Sequence, residues 1–169
     1  MTELLLDPVF LTAVLVAALG AALPLATAAA GETVGEQAGV LNLGIEGTML
    51  IGAFTAYAVQ LATGSFGLGF LAGVGAGLAF SLIMLLLSIV LGLNQIVVGL
   101  AMTLIGSGLT SVLYLQQYAR RSPGTGSPEP LPIPGLSEIP VIGVAVFQQP
   151  ALFWVCVSAI ALLAWSLRR

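Results

Sequence analysis

Three carboxylates, Glu32, Glu36 and Glu46, and the amides of Gln37 and Asn42 fall within the stretch Gly31 to Gly47, where five glycines punctuate the chain between two long apolar runs. Their types limit what they could do. The 169 residues include four Arg, no Lys and no His, so no imidazole is present to shuttle protons or bind a metal, and no basic footprint exists for nucleic acid. The single cysteine, Cys156, stands in an apolar run and cannot form an intramolecular disulfide or a Cys-rich metal site. No Gly-rich phosphate loop ending in Lys is present, so ATP chemistry is not expected in this chain. What remains is polar recognition. Asn42 is a good N-cap residue, and its side-chain oxygen could accept the N–H of Gly44 or Ile45 and start a helix there. A helix beginning at the membrane edge would present unpaired N–H groups and a positive dipole end, as at the broken helices that hold polar substrate groups in transporters. Glu46 would then lie in the first turns, facing a protein interior or a water-filled path, since a carboxylate in lipid costs about 2.5–3.5 kcal/mol. Asn42, Gly44, Glu46 and Gly47 are therefore candidates for a substrate pathway. For Glu32 and Glu36 two readings stand: a wet loop at the end of a span, or a shared helix face, because they are four residues apart.

The elements that must position these residues are membrane helices. The composition is 59% hydrophobic and 7% charged, against about 25% charged in an average soluble domain, and the mean hydropathy is +1.12. A water-soluble globule is excluded, and the solvent is a lipid bilayer. Pro8 to Ala30 carries no charge and would span about 35 Å as a helix, enough for a bilayer core of roughly 30 Å. Its length and its acidic N-terminal flank argue against a cleaved signal peptide. Pro24 should kink this helix or mark its end. A second span continues from Thr48 to Ala62 and reaches crossing length only by starting near Asn42; Thr63 to Gly67 then forms a turn. The run Leu68 to Leu91 carries Gly69, Gly73 and Gly77, two successive Gly-x-x-x-Gly steps expected to form a helix-packing seam. After the polar break Gly92 to Gln95, Ile96 to Leu115 forms a fourth span. On it Gly99, Thr103, Gly106, Ser107, Thr110 and Ser111 share one small, weakly polar face. Either this face is a close helix contact, for which Gly99 and Gly106 are the candidates, or it is the wall of a polar path, for which Thr103 and Ser107 are.

Between Arg120 and Pro150 six prolines, from Pro123 to Pro140, are interleaved with Gly and Ser, a density that no helix survives. The segment over residues 119–150 is expected outside the hydrocarbon as an extended loop, with Val141 to Phe147 as a short interfacial piece. Ala151 to Leu167 is a fifth span, with Trp154 and Trp165 near its ends and Arg168-Arg169 as its water-side stop. The fold expected is an all-α integral membrane protein of about five transmembrane helices, in which the second is broken or bent. Arginines balance two against two across the membrane, so positive-inside counting does not orient it.

The segment Gly39-Val40-Leu41-Asn42-Leu43-Gly44-Ile45-Glu46-Gly47, followed by Met49, Gly52 and Ala53, resembles the permease subunits of bacterial ABC importers for nucleosides and simple sugars, relatives of the ribose and branched-chain amino-acid permeases. The likeness continues through Asn94 to Leu100, Gly108 to Ser111, Leu131 to Leu136 with Ile139-Pro140, and Phe147 with Gln149-Pro150, in the same order. Two positions depart from the pattern: Glu36-Gln37 replaces Glu-Arg, removing an internal ion pair, and Thr103 stands where Asn is common. The chain resembles the N-terminal half only, ending at the lead-in to the loop that docks such permeases on their ATPase. The resemblance implies one transmembrane permease domain over 1–169, lacking that loop and later helices, in a bacterial plasma (inner) membrane. It places Arg168-Arg169 in the cytoplasm and makes the proline-rich loop extracytoplasmic. It implies no catalysis in this chain, ATP and Mg bound by a cytoplasmic ATPase subunit, a second permease subunit, and an extracytoplasmic solute-binding protein. A branched-chain amino-acid permease of the same fold and a non-transporting helical scaffold are the alternatives.

Overall fold

The computed structural model describes residues 7–119, 123–124, 126, 128–131, 135, 137, 139 and 141–167. Its helices are α1 (Pro8–Gln37), α2 (Ile45–Thr63), α3 (Phe66–Leu85), continued by a π-helical turn (Leu86–Val90), α4 (Gln95–Tyr118), α5 (Ile142–Phe147) and α6 (Ala151–Leu167). Among the described residues, four segments are long and apolar enough to cross a membrane: α1, α2, α3 with its π turn, and α4. The fifth apolar helix, α6, has 17 residues, about 25 Å at 1.5 Å per residue, the short end of what spans a bilayer. The four arginines lie outside the described residues, as do Pro132, Pro134 and Pro140 of the proline run.

The chain divides into two compact units, Met1–Val34 with Pro128–Arg169, and Gly35–Ser127. In the first, Asp7 Oδ1 accepts from the Val9 N–H at 3.0 Å and caps the start of α1. Pro24 lies inside α1, so it does not end the helix. Nearby, the Thr27 hydroxyl donates to the Leu23 and Pro24 carbonyls at 3.0 and 2.8 Å, keeping a polar group satisfied without water. The short helix α5 occupies the place expected of an interfacial piece. Val141 precedes it with φ 66° and ψ −62°, a backbone conformation that β-branched residues rarely adopt. The helix is packed in place: Gly143 and Ala145 are buried, Phe147 stacks on Trp154 with centroids 6.4 Å apart, and the Leu131 N–H donates to the Gln149 carbonyl at 3.2 Å.

The second unit holds the other membrane helices. Here α2 packs along both α3 and α4, while α3 and α4 touch each other sparingly. A small core of Phe80 and Met84 from α3 with Val98 and Met102 from α4, flanked by Ile51 and Leu87, closes the end near the π turn. Gly64 (φ 70°) ends α2 in the left-handed region, its N–H donating to the Gln60 carbonyl at 2.7 Å. Ser65 caps α3 and Asn94 caps α4, so the turns fall where the polar breaks predict them. Outward faces are apolar, Leu71 and Leu104 being 66% and 68% exposed, as lipid-facing surfaces must be.

One open choice is decided here and one expectation is corrected. The stretch after Ala30 is not a loop: α1 runs on through Glu32 and Glu36 to Gln37, so both carboxylates are helical, Glu32 half-buried and Glu36 exposed. The cause is Gly39, whose φ of +78° makes the left-handed cap of a Schellman motif. Its N–H donates to the Glu36 carbonyl at 3.0 Å and the Val40 N–H to the Gly35 carbonyl at 2.9 Å, satisfying the last turn of α1. Nor does α2 begin at Asn42. Its N-cap is Gly44, and the break lies ahead of α2, which itself runs uninterrupted from Ile45 to Thr63.

Candidate functional site

Between the Schellman cap of α1 and the first turn of α2 the backbone of residues 40–44 is not helical, so its polar groups need partners. Two come from α4. The Leu41 N–H donates to Gln95 Oε1 at 2.8 Å, and the Thr103 hydroxyl donates to the Leu43 carbonyl at 3.0 Å. A third is local: Asn42 Oδ1 accepts from the Gly44 N–H at 2.9 Å, forming a tight turn one residue before the helix. Gln95 and Thr103 are eight residues apart on one α4 face, and Gly99 lies midway between them, leaving room for the crossing strand. A Cβ on Gly99 would come within 2.9–3.0 Å of Leu43 and the Gly44 nitrogen.

One turn further on, backbone meets backbone. A Cβ on Gly47 would lie 2.5 Å from the Met102 carbonyl oxygen, and one on Gly106 2.6 Å from the Gly47 Cα. Gly44 is similarly close, 3.0 Å from Met102 Cβ. Across α2's other side, Cβ atoms on Gly69 and Gly73 would stand 2.8 Å from the Ala56 and Gly52 carbonyl oxygens, whereas Gly77 is 3.8 Å from Thr48 Cγ2, an ordinary contact. The weakly polar face of α4 thus serves two ends: its glycines admit α2, and the Thr103 hydroxyl ties down the segment before α2.

Beside this contact runs an open groove of about 280 Å³. Leu50, Ala53, Phe54 and Tyr57 line it from α2, and Thr110, Ser111 and Tyr114 from α4. Glu46 stands one helical turn before Leu50 on the same α2 face, and Ser107 and Thr103 stand one and two turns before Ser111 on α4. Glu46 is exposed, in the first turn of α2, where a carboxylate meets the positive end of the helix dipole. Thr103 and Ser107 are half-buried. The Ser107 hydroxyl donates to the Leu104 carbonyl at 3.2 Å and the buried Thr110 hydroxyl to the Gly106 carbonyl at 2.7 Å.

The far end of the groove holds a feature missed by sequence reasoning. All three tyrosines of the chain meet there: Tyr57 and Tyr118 pack edge to face with centroids 5.2 Å apart, Tyr114 and Tyr118 lie 5.8 Å apart, and Tyr57 and Tyr114 6.2 Å. The Tyr57 hydroxyl donates to the Pro123 carbonyl at 3.0 Å. The i, i+4 spacing of Tyr114 and Tyr118 signals a shared face, but nothing local ties it to Tyr57.

Comparison with known proteins bears on what such a groove serves. The chain is 37% identical over 166 residues to a putative glucose ABC transporter permease protein of Haloferax volcanii, an overlap covering 95% of this chain and 49% of that protein. It is 33% identical over 153 residues to a guanosine ABC transporter permease protein of Bacillus subtilis, covering 85% of this chain and 48% of that one. The chain therefore spans about half the length of the curated relatives it matches. No solved structure matches it. The family model described as the permease component of the branched-chain amino acid transport system matches residues 14–169. With its membrane helices, its locked break before α2 and that match over nearly its whole length, this chain is a multi-pass membrane protein and belongs to that permease family.

Proposed function

We propose that this chain forms part of the membrane pathway of an ABC importer for nucleosides or related simple sugars, in the plasma (inner) membrane of a bacterial cell. The observation that carries this reading is the α2–α4 groove. Its Leu50 end lies one helical turn past Glu46, itself in the first turn of α2, and the break ahead of that turn is held by Gln95 and Thr103. Asn42, Gly44 and Gly47 shape the turn and the close approach, while Glu46, Thr103 and Ser107 stand along the path. The guanosine and glucose permeases among its relatives support the substrate class. The chain has no catalytic step of its own. ATP and Mg belong to a cytoplasmic ATPase subunit, a second permease subunit completes the path, and an extracytoplasmic solute-binding protein delivers the solute. Those partners drive transport only by binding outward and inward states with different affinity.

The test is ATP-dependent uptake of labelled guanosine and glucose into vesicles holding the full importer. Glu46→Gln with Asn42→Ala should lower uptake about tenfold while ATP hydrolysis persists; unchanged uptake would remove both residues from the path. A branched-chain amino-acid permease is the second reading, favoured by the description of the family model. Uptake of labelled leucine in preference to guanosine and glucose would establish it instead.

A further inference from the structure

The tyrosine end of the groove is lined by aromatic rings, hydroxyls and apolar side chains. None of its lining side chains carries a charge, so the lining offers a zwitterionic amino acid no ionic partner for its ammonium or its carboxylate. Its polar atoms are hydroxyls. Those of Thr110 and Tyr57 already donate to backbone carbonyls, and the second bond fixes the Tyr57 ring. Ser111 and Tyr114 are exposed, and neither hydroxyl has a hydrogen-bond partner among the described residues. The lining thus offers aromatic faces, two available hydroxyls and no charge.

We propose that this end of the α2–α4 groove binds an uncharged, hydroxyl-bearing ring, the chemistry shared by nucleosides and hexoses. The Tyr57 and Tyr114 rings pack on the ring face, and the Ser111 and Tyr114 hydroxyls bond its hydroxyl groups. Aromatic faces stack on bases with little sequence preference, and sugars present a C–H face to the same surface. The volume of about 280 Å³ lies near the lower end of small-molecule sites, which run from ~300 to ~1,000 Å³. The path then descends from the tyrosines toward Glu46, about 16 Å along α2 at 1.5 Å per residue. This inference rests on the importer reading above and names the residues that would recognise the solute on that path.

Two measurements on the full importer test it. In the first, Ser111→Cys is introduced with the native cysteine, Cys156, and any others replaced. The rate of its modification by a water-soluble thiol reagent is then read with and without guanosine, glucose or leucine. Guanosine or glucose should slow modification at least threefold, and leucine should leave it unchanged. In the second, uptake at saturating solute-binding protein should fall about tenfold in Tyr114→Ala and stay within twofold of wild type in Tyr114→Phe, where the ring remains. If Tyr114→Ala fails to assemble, the thiol assay alone decides. Wild-type uptake of guanosine or glucose, with Ser111→Cys unprotected and Tyr114→Ala unimpaired where it assembles, overturns the groove site and leaves the importer reading intact. Protection by leucine, with leucine the imported solute, overturns both.

Discussion

A glycine is informative here through what a methyl group would strike. At Gly47 and Gly106 the added Cβ meets backbone at 2.5–2.7 Å, and α2 cannot move aside without disturbing its packing on α3. Gly47→Ala or Gly106→Ala should destabilise the folded protein by about 1–3 kcal/mol, the usual cost of overpacking. Gly108→Ala on the same helix, with nothing within 4 Å of the new methyl, should be neutral or slightly stabilising. Thermal melting in detergent separates the cases, and equal melting temperatures for Gly106→Ala and Gly108→Ala would refute the contact. Glycine spacing by itself points to these close approaches, because in lipid small residues are what let backbones meet. It does not say that Gly77, third in its series, stands at an ordinary distance. That depends on how α2 and α3 diverge. The tyrosine cluster is equally illegible in the sequence, because Tyr57 meets Tyr114 and Tyr118 only after α3 has intervened.

At the scale of elements, the break before α2 is pinned within the second unit, over residues 35–44. Its backbone is tied to α4 by Gln95 and Thr103 and to α1 by the Schellman bonds around Gly39. Gln95→Ala should release the Leu41 amide, raising its hydrogen-exchange rate about fivefold for a bond worth about 1 kcal/mol. Exchange elsewhere in α2 should be unaffected. An unchanged Leu41 rate would mean that Gln95 does not hold the strand in the membrane. Span positions and turns are readable in this chain because hydrocarbon demands long uncharged helices and water receives the polar breaks. The extension of α1 to Gln37 is not, since Gly39 reads as a helix breaker until its role as a cap is seen. For the same reason Asn42, a strong cap by type, serves the turn before Gly44.

For the whole molecule, α3 with its π turn crosses the bilayer once, so the turn at Thr63–Ser65 and the turn at Gly92–Asn94 face opposite sides. Single cysteines at Ser65 and Leu93 should therefore react with a membrane-impermeant maleimide from opposite faces of sealed vesicles. Labelling of both from one side would contradict the span. Between those turns lies the π-helical stretch Leu86–Val90, closed by the Leu91 N–H bonding back to the Leu86 carbonyl at 3.0 Å and packed by the buried Ser88. A π turn is an α turn that has taken in one more residue. Chain length can therefore change by one residue at this site with both flanks staying in phase: α3 keeps its glycines on α2, and the Asn94 cap still starts α4 toward the groove. A one-residue deletion anywhere in α2 or α4 would instead rotate every later side chain by about 100°, turning lining into lipid face. Among the described membrane helices, a gain or loss of one codon should be tolerated best at this turn, with the packing of α2 on α3 and α4 retained.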